Sequence, residues 1–279
     1  MHVAINEHTQ SYYVTCVEEL RAFVHGIGKS DVVLGLSGGI DSSVVACMCV
    51  EAFGSDHVHG IMMPGPYSST HSVTDAQLLA ENLGIETFVV PIKDIYDTVF
   101  DTLSAHIPDL GGLTAENIQA RARMVVLMAF SNAHDWLLIN TDNKSEAMTG
   151  YSTLYGDTAG AFAPMGGLYK VDVYRIAEWI NQRSERISGS LLIPDNVIRK
   201  APSAELAPGQ TDESVFGSYE DLDRILFYLV EQGQSPEDLI EQGEDAAFVH
   251  KVVRLMKASA FKRKVLAPYP HIVYEKREA

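Results

Sequence analysis

The sequence lacks any long apolar run, although apolar residues make up 46% of its 279 residues. A membrane-spanning helix needs about 20 consecutive apolar residues, and no stretch of the chain approaches that length. The N-terminus, M-H-V-A-I-N-E-H, has neither the basic region nor the apolar region of a signal peptide. These absences predict a cytoplasmic protein that does not interact with a membrane.

Basic residues are also scarce. The chain has 21 Lys and Arg against 37 Asp and Glu, which gives a formal net charge of −16. Binding to a nucleic-acid backbone needs clustered basic side chains that displace counterions, so a nucleic-acid partner is not expected. The stretch K-R-K at 262–264 is a local exception, and so short a cluster suits a single anionic ligand better than a duplex.

The three cysteines, Cys16, Cys47 and Cys49, form no C-x-x-C pair and have no histidine at ligand spacing. Cys47 and Cys49 are two residues apart in a predicted helix and therefore point to different sides of it. Nor do the ten histidines form an H-E-x-x-H motif. Buried thiols are expected here, and a structural zinc site is not.

Apolar segments alternate with helical patterns along a chain whose length suits one large domain spanning 1–279. Strand patterns occur at 32–36, 58–64, 86–92 and 136–141. Helical patterns occur at 41–53, 72–83 (closed by Gly84), 94–106, 115–133, 172–183, 219–232, 236–241 and 245–260. Strands separated by helices of this length predict an α/β fold, a doubly wound parallel sheet with flanking helices.

Two polar clusters follow predicted strands. S-G-G-I-D-S comes after the first strand and T-D-N-K-S-E after the fourth. The carboxyl ends of parallel strands share one edge, so the two clusters can share one cleft. Two long irregular stretches, 150–167 and 188–218, complete the pattern, and long loops in compact chains are often functional.

The motif G-L-S-G-G-I-D-S lacks the lysine of a Walker A loop and is not G-x-G-x-x-G. Its two glycines allow close backbone approach, and Ser37 and Ser42 offer hydroxyl donors to an anion. Asp41 beside a bound phosphate would be repelled unless a divalent cation lay between them, which suggests Mg²⁺. A tight β-to-α turn whose Asp41 caps the helix is the alternative, and the motif alone leaves both open.

S-G-G-x-D-S resembles the PP-loop ATP pyrophosphatases, which cleave ATP between the α and β phosphates. Further stretches resemble NAD synthetase: E-N-I-Q-A-R-A-R-M, T-D-N-K-S-E, G-Y-S-T-L-Y-G-D, G-G-L-Y-K and K-A-P-S-A-E-L-x-P-G-Q-x-D-E. This resemblance extends from about residue 30 to about residue 268. It implies the PP-loop fold, with ATP as co-substrate and Mg²⁺ as cofactor.

The resemblance assigns residues position by position. It implies ATP-binding roles for Gly35, Leu36, Ser37, Gly38, Gly39, Ile40, Asp41, Ser42, Thr141, Lys170 and Ser203, and metal-binding roles for Asp41 and Glu146. It implies substrate-binding roles for Asn117, Arg121, Tyr151, Ser152, Thr153, Leu154, Phe261 and Lys262. Leu154 and Ala161 depart from the shorter members of the family, which carry lysine and aspartate there.

The implied reaction converts nicotinic acid adenine dinucleotide (deamido-NAD), ATP and ammonia to NAD, AMP and pyrophosphate through an acyl adenylate. The departures resemble the synthetase half of the glutamine-dependent enzymes, whose N-terminal glutaminase domain has no counterpart in this sequence. Free ammonia is then the simplest donor, with a separate glutaminase subunit as an alternative. The resemblance also implies a homodimer, for which helix 115–133 offers an apolar stretch, and core packing within one subunit explains that stretch equally well.

Several alternatives stay open at this stage. Arg121 and Arg123 fit solvated surface arginines as well as a site, Glu146 fits a carboxylate at a helix N-terminus, and Lys262 fits part of a basic tail. Two rival functions are a tRNA-thiolating PP-loop enzyme, which usually has cysteine pairs and a basic surface, and a non-enzymatic nucleotide-binding module.

Overall fold

The sheet is parallel and four-stranded, as the sequence predicts. The computed structural model describes residues 3–274. The strands lie in the order β3-β2-β1-β4 and are β1 (Val32–Gly35), β2 (Val58–Met62), β3 (Glu86–Val89) and β4 (Leu137–Leu138). The chain builds the sheet outward from β1 to β3 and then returns to the other side of β1, so the strand order reverses between β1 and β4.

Helices surround this sheet. They are α1 (Thr9–Gly26), α2 (Ile40–Phe53), α3 (Thr70–Leu83), α4 (Lys93–Ser104), α5 (Gly112–His134), α6 (Lys144–Thr149), α7 (Lys170–Ser188), α8 (Asp195–Arg199), α9 (Glu213–Phe216), α10 (Tyr219–Val230), α11 (Pro236–Glu241) and α12 (Ala246–Ala258). Two short 3₁₀ helices span Ser55–His57 and Lys262–Val265. The eight predicted helices are present, whereas α1, α6, α8 and α9 are additional.

Side chains along β1 point alternately to the two faces of the sheet, and each face packs against its own apolar layer. Val32 and Leu34 pack into one cluster with helices α1, α2, α3 and α7, and Val33 packs into another with α5. Residues i and i+2 of a strand share a face, so this run of apolar residues fills both sides of the sheet. The doubly wound arrangement is thereby confirmed.

The predictions for β3 and β4 were too long. β4 pairs with β1 only through Leu137 and Leu138, and Ile139 then forms an isolated bridge with Phe162. Asn140 ends the strand because its Nδ2 donates to the carbonyls of Asp157 (2.8 Å) and Ala159 (3.2 Å). The chain therefore leaves the sheet just where its polar cluster begins.

Helices α10, α11 and α12 enclose a separate apolar cluster at the C-terminal end of the chain. Asp223 on α10 connects it to the sheet domain. Its carboxylate accepts hydrogen bonds from Ser145 Oγ (2.5 Å) and from the backbone N–H of Val171 (2.8 Å). Burial raises the pKa of Asp223 to about 7, while these two hydrogen bonds oppose the rise.

All three cysteines are free and buried, as expected. Cys47 and Cys49 join the same apolar cluster because α2 is buried along most of its length. Burial raises the pKa of the Cys47 thiol to about 12. Within residues 3–274, no helix has the length and apolar character that crossing a membrane requires.

Candidate nucleotide-binding site

A cavity of about 310 Å³ lies at the carboxyl ends of β1 and β4, where the strand order reverses. Both polar clusters line it, which confirms that they share one cleft. Asn143 Nδ2 donates to Asp41 Oδ1 (2.8 Å) and joins the two clusters directly. The position agrees with the rule that ligands of open α/β sheets bind at such a point.

The glycine-rich loop forms the cavity wall at the start of α2. Residues of this loop that line the cavity are Gly35, Leu36, Ser37, Gly39, Ile40, Asp41 and Ser42. Ser37 Oγ lies 3.0 Å from Ser42 Oγ and accepts a hydrogen bond from the N–H of Gly39 (3.1 Å). Hydroxyl groups and the N-terminus of a 14-residue helix thus face the same space, an arrangement that favours an anion.

Gly38 has a different role from its neighbours. It does not line the cavity, and its φ of +76° lies in the region that favours glycine. A Cβ at this position would lie 2.1 Å from the carbonyl oxygen of Ser72. Gly38 therefore lets the loop pack closely against the start of α3.

The helix-capping alternative for Asp41 is not what the structure shows. The N-cap of α2 is Gly39, and no side chain caps the helix. The carboxylate of Asp41 instead contacts Lys170 Nζ through Oδ2 (2.5 Å).

Lys170 joins Asp41 and Glu146 in the wall of the cavity. Its side chain is 2% exposed, and its Nζ also donates to Glu146 Oε1 (3.0 Å). Burial opposes the charge of Lys170, but the two carboxylates outweigh burial and raise its pKa well above the ordinary value. Burial raises the pKa of Glu146 to about 8, although Lys170 pulls it down. The three residues form one coupled charged group.

Local sequence explains how Glu146 and Lys170 are placed. Asn143 begins α6 with a capping box, since its Oδ1 accepts the N–H of Glu146 (3.1 Å). Lys170 is the first residue of α7, which begins two residues earlier than the predicted helix at 172–183. The helix-terminus interpretation of Glu146 is thus correct, and the same carboxylate also faces the cavity.

Thr141 and Ser203, to which the resemblance assigns ATP binding, both line the cavity. The Ser203 hydroxyl donates to the carbonyl of Gln210 (2.6 Å) and accepts the N–H of Glu205 (3.1 Å). It therefore holds the 200–211 loop in shape over the cavity.

Sequence reasoning missed several lining residues. Asp212 accepts hydrogen bonds from the hydroxyls of Tyr151 and Tyr219, both at 2.9 Å. Lys170 Nζ lies 5.1 Å from the centre of the Tyr219 ring. The only available signal for Asp212 was its place in the P-G-Q-T-D-E stretch. Arg123, which the sequence left open, also lines the cavity.

The residues assigned to the second substrate form a group beside the cavity. Tyr151 lines the cavity itself; among the described residues, the other seven do not. Thr153 Oγ1 donates to Asn117 Oδ1 (2.6 Å), and Arg121 Nε donates to the carbonyl of Leu154 (3.2 Å). The 151–154 loop is thereby held against α5.

The basic stretch at 262–264 fastens the same loop from the other side. Lys262 Nζ donates to the carbonyls of Gly150 (2.8 Å) and Ser152 (2.5 Å), and Arg263 donates to the carbonyl of Met148 (3.0 Å). Phe261 beside them is 56% exposed. Lys262 is therefore not a free tail residue.

The charge of the cavity bears on which ion it could hold. Six carboxylates but only three basic side chains line it, among the residues described: Asp41, Asp142, Glu146, Asp157, Glu205 and Asp212, with Arg123, Lys170 and Lys200. No group of three or more His, Cys, Asp or Glu side chains within 3–274 could by itself hold a metal ion. Mg²⁺ commonly uses one or two carboxylates and completes its shell with water and substrate phosphates, so Asp41 and Glu146 fit this ion.

Comparison with known proteins adds to the geometry. Residues 12–266 match the model of the NAD synthase family. Over 252 residues the chain is 46% identical to a glutamine-dependent NAD(+) synthetase of Thermotoga maritima, covering 89% of this chain and 42% of that protein. The chain thus spans less than half the length of this relative.

For two solved structures, the match covers nearly the whole length of both chains. An NH3-dependent NAD synthetase from Campylobacter jejuni has a TM-score of 0.73 and 29% identity, covering 91% of this chain and 96% of that one. An NMN synthetase from Francisella tularensis has a TM-score of 0.78 and 28% identity, covering 94% and 99%. With the family model matched along most of its length and this fold around the cavity, the chain belongs to the NAD synthase family.

Proposed function

We propose that this chain is a cytoplasmic ligase that amidates nicotinic acid adenine dinucleotide, using ATP and free ammonia and releasing AMP and pyrophosphate. The observation that carries the proposal is the group formed by Asp41, Lys170 and Glu146 beside the glycine-rich loop. A phosphate loop alone suits any nucleotide-binding module. A buried lysine held between two carboxylates at that loop is suited to charge that builds during a reaction.

The loop residues provide the first requirement, a site for the triphosphate. The start of α2 and the hydroxyls of Ser37 and Ser42 face the cavity and would bind phosphate oxygens. Lys170 supplies a positive charge that needs no reorganisation from water, because it is already buried.

Asp41 and Glu146 are the residues that would hold Mg²⁺. When bound, the ion would offset negative charge on the phosphate oxygens. The excess of carboxylates supports this assignment, since a triphosphate next to them needs cations for compensation. A bound cation would also lower the pKa of Glu146, which burial raises to about 8 even beside Lys170, and so favour the ionised carboxylate.

Chemistry sets the order of the reaction. A carboxylate resists attack by ammonia because it is negatively charged and has a poor leaving group. The nicotinate carboxylate would therefore attack the α-phosphate of ATP, releasing pyrophosphate and leaving an acyl adenylate. Ammonia would then attack the acyl carbon and release AMP, so no covalent enzyme intermediate is needed.

The acceptor substrate would lie between the cavity and the group around Tyr151 to Leu154. The loop carries Tyr151 on the cavity side and contacts Asn117 and Arg121 on α5. A mononucleotide acceptor is the second candidate, since the similar F. tularensis structure is an NMN synthetase. Measuring turnover with the deamido dinucleotide and with nicotinic acid mononucleotide as acceptors distinguishes the two candidate functions.

A homodimer completes the proposal. Helix α4 has no buried residue in one chain, and Val125 on α5 is 56% exposed. An amphipathic helix left without buried side chains favours a partner surface. Sedimentation that found a stable, fully active monomer would refute it.

The test measures AMP and pyrophosphate with deamido-NAD, ATP and either ammonium or glutamine. We expect turnover with ammonium, and loss of nearly all of it in Asp41→Asn without loss of fold. Turnover with glutamine only after adding a second protein would indicate a separate glutaminase subunit. ATP binding without pyrophosphate release would favour a nucleotide-binding module instead.

A further inference from the structure

Helix α7 begins without a side-chain cap of its own, since its N-cap residue Tyr169 makes no side-chain hydrogen bond to the helix start. The first N–H groups of a helix have no partner within it, and buried N–H groups are nearly always paired. Residues of two other helices supply the partners here. On α6, the Ser145 hydroxyl oxygen accepts the N–H of Lys170 (2.9 Å). On α10, Asp223 Oδ2 accepts the N–H of Val171 (2.8 Å).

Asp223 also controls the first of these two contacts. Ser145 Oγ donates to Asp223 Oδ1 (2.5 Å) while it accepts from Lys170. A hydroxyl group has a single hydrogen, so the bonds run in one direction, from the Lys170 N–H through Ser145 to Asp223. Both Ser145 and Asp223 are buried. Asp223 thus fixes the first two residues of α7, one directly and one through Ser145.

The same face of α10 contacts the other end of Lys170. Tyr219 lies four residues before Asp223 on this helix, and residues four apart lie on one face. The Tyr219 ring centre is 5.1 Å from Lys170 Nζ. Helix α10 belongs to the apolar cluster of C-terminal helices, so that cluster holds both the backbone and the ammonium group of Lys170.

The charge of Asp223 is unfavourable for folding. Burial raises the pKa of Asp223 from 3.8 to about 7, against the effect of its two hydrogen bonds. Above pH 7 the ionised side chain therefore makes the fold less stable than a neutral group of the same shape would. A carboxylate that lowers stability and is nevertheless fully hydrogen-bonded is expected where function requires it.

We propose that Asp223 is a positioning residue for the reaction: by fixing the first turn of α7, it holds the ammonium group of Lys170 at the glycine-rich loop. The inference rests on the proposed function, in which Lys170 offsets charge on the phosphate oxygens. Asp223 does not line the nucleotide cavity, so it acts through Lys170 and not on a substrate.

The first test is Asp223→Asn. The amide nitrogen of asparagine accepts no hydrogen bond, so one of the two bonds must break or reverse. We expect kcat with ATP, deamido-NAD and ammonium to fall about 10- to 100-fold, since a catalytic group misplaced by about 1 Å costs up to about 100-fold. The KM for ATP should change little, because the glycine-rich loop is unaltered. Urea unfolding above pH 7 should show stability kept or increased, whereas loss of a purely structural residue would lower stability and activity together.

The second test places Asp223→Asn in the Lys170→Met variant. Pyrophosphate release should then show no further loss of kcat, because the charge that Asp223 positions is already absent. A further loss as large as in the unaltered background would mean that Asp223 acts independently of Lys170, which contradicts the inference.

Ser145→Ala tests the same link with Asp223 unaltered, so it serves even where Asp223→Asn does not fold. Its kcat should fall in the same way, and an unchanged kcat would overturn the inference. Asp221→Asn is the matched control on α10, since its half-exposed carboxylate pairs with Ser218 and Arg224. Its kcat should equal that of the unaltered protein; a loss as large as in Asp223→Asn would assign the effect to α10 in general and refute the specific role.

The outcomes separate the two proposals. Should the unaltered protein turn over ammonium while Asp223→Asn keeps its kcat, or loses it only in proportion to the folded fraction, this inference fails alone. If the unaltered protein releases neither AMP nor pyrophosphate with deamido-NAD, ATP and ammonium, the proposed function fails and this inference fails with it.

Discussion

Lys170→Met is the change whose effects the structure defines most fully. Methionine has a similar length, so it can fill the space beside the Tyr219 ring, where Lys170 Nζ lies 5.1 Å from the ring centre, while it removes the charge. Asp41 and Glu146 then lose the cation that lies 2.5 and 3.0 Å from their oxygens. Removing one partner of a buried ion pair typically destabilises a protein by about 3–5 kcal/mol. Their carboxylates are 20% and 14% exposed, so water screens part of this cost and about 3 kcal/mol is expected.

The destabilisation should depend on pH. The folded-state pKa of Glu146 is about 8, raised from 4.5 by burial, and it can only rise further when Lys170 is removed. An acid whose pKa is raised on folding contributes stability below its unfolded pKa, and that contribution is lost as the pH rises through the folded pKa. The loss in Lys170→Met should therefore be smallest near pH 5 and grow towards pH 8 and above, as urea unfolding can measure.

Lys170→Met should also lower the rate of the reaction. A preorganised group at a developing oxyanion is worth roughly 3–4 kcal/mol of barrier, so turnover should fall by about 10² to 10³. Pyrophosphate release at saturating substrate measures this loss separately from binding.

Lys144→Met is the matched control. Lys144 forms a partly buried ion pair with Glu231 and lies over the Tyr169 ring, but it does not line the cavity. Turnover in this variant should stay close to that of the unaltered protein. Normal turnover in Lys170→Met would remove the lysine from the reaction, and a destabilisation independent of pH would refute the coupling between Lys170 and Glu146.

Two further predictions test how the site is supported. Asp223 has its pKa raised from 3.8 to about 7, so its contribution to stability is present below pH 3.8 and lost as the pH rises through about 7. Asp223→Asn should flatten the pH dependence of urea unfolding in that window, whereas the half-exposed Asp221→Asn should not; an unchanged slope would contradict the assignment. Gly38→Ala should cost more than 1 kcal/mol and weaken ATP binding in calorimetry, because its Cβ would meet the Ser72 carbonyl. Gly28→Ala has a similar φ of +74° but free space, so it should retain ATP affinity; equal ATP affinity in the two variants would refute the packing argument.

The element types were predictable from the sequence, whereas several boundaries were not. Strand and helix periodicity predicted the four strands and eight of the helices. Helix α1 was missed, although its buried residues Tyr13, Val17, Leu20 and Val24 recur at helical spacing. β4 is two residues long because Asn140 hydrogen-bonds to loop carbonyls across the chain, a contact that local periodicity does not contain.

The candidate site also has a part that the sequence predicted and a part that it did not. Its glycines, hydroxyls and Asp41 form one contiguous motif, and parallel strand geometry sufficed to predict that Glu146 lies nearby. Asp212 and Asp142 were missed because a carboxylate acquires its role from burial and from partners distant in sequence. Whether such a group is paired, as Asp212 is, or unpaired, as Asp142 Oδ2 is, depends on packing.

The sequence by itself determined the parallel α/β fold, the position of the glycine-rich loop and the family to which they point, because these depend on local periodicity and on residues adjacent in the chain. Only the tertiary structure decided that Lys170 lies buried between Asp41 and Glu146, and that Asp142 lines two cavities. Electrostatic interaction and desolvation act over a few ångströms of space, and those distances exist only once the chain has folded.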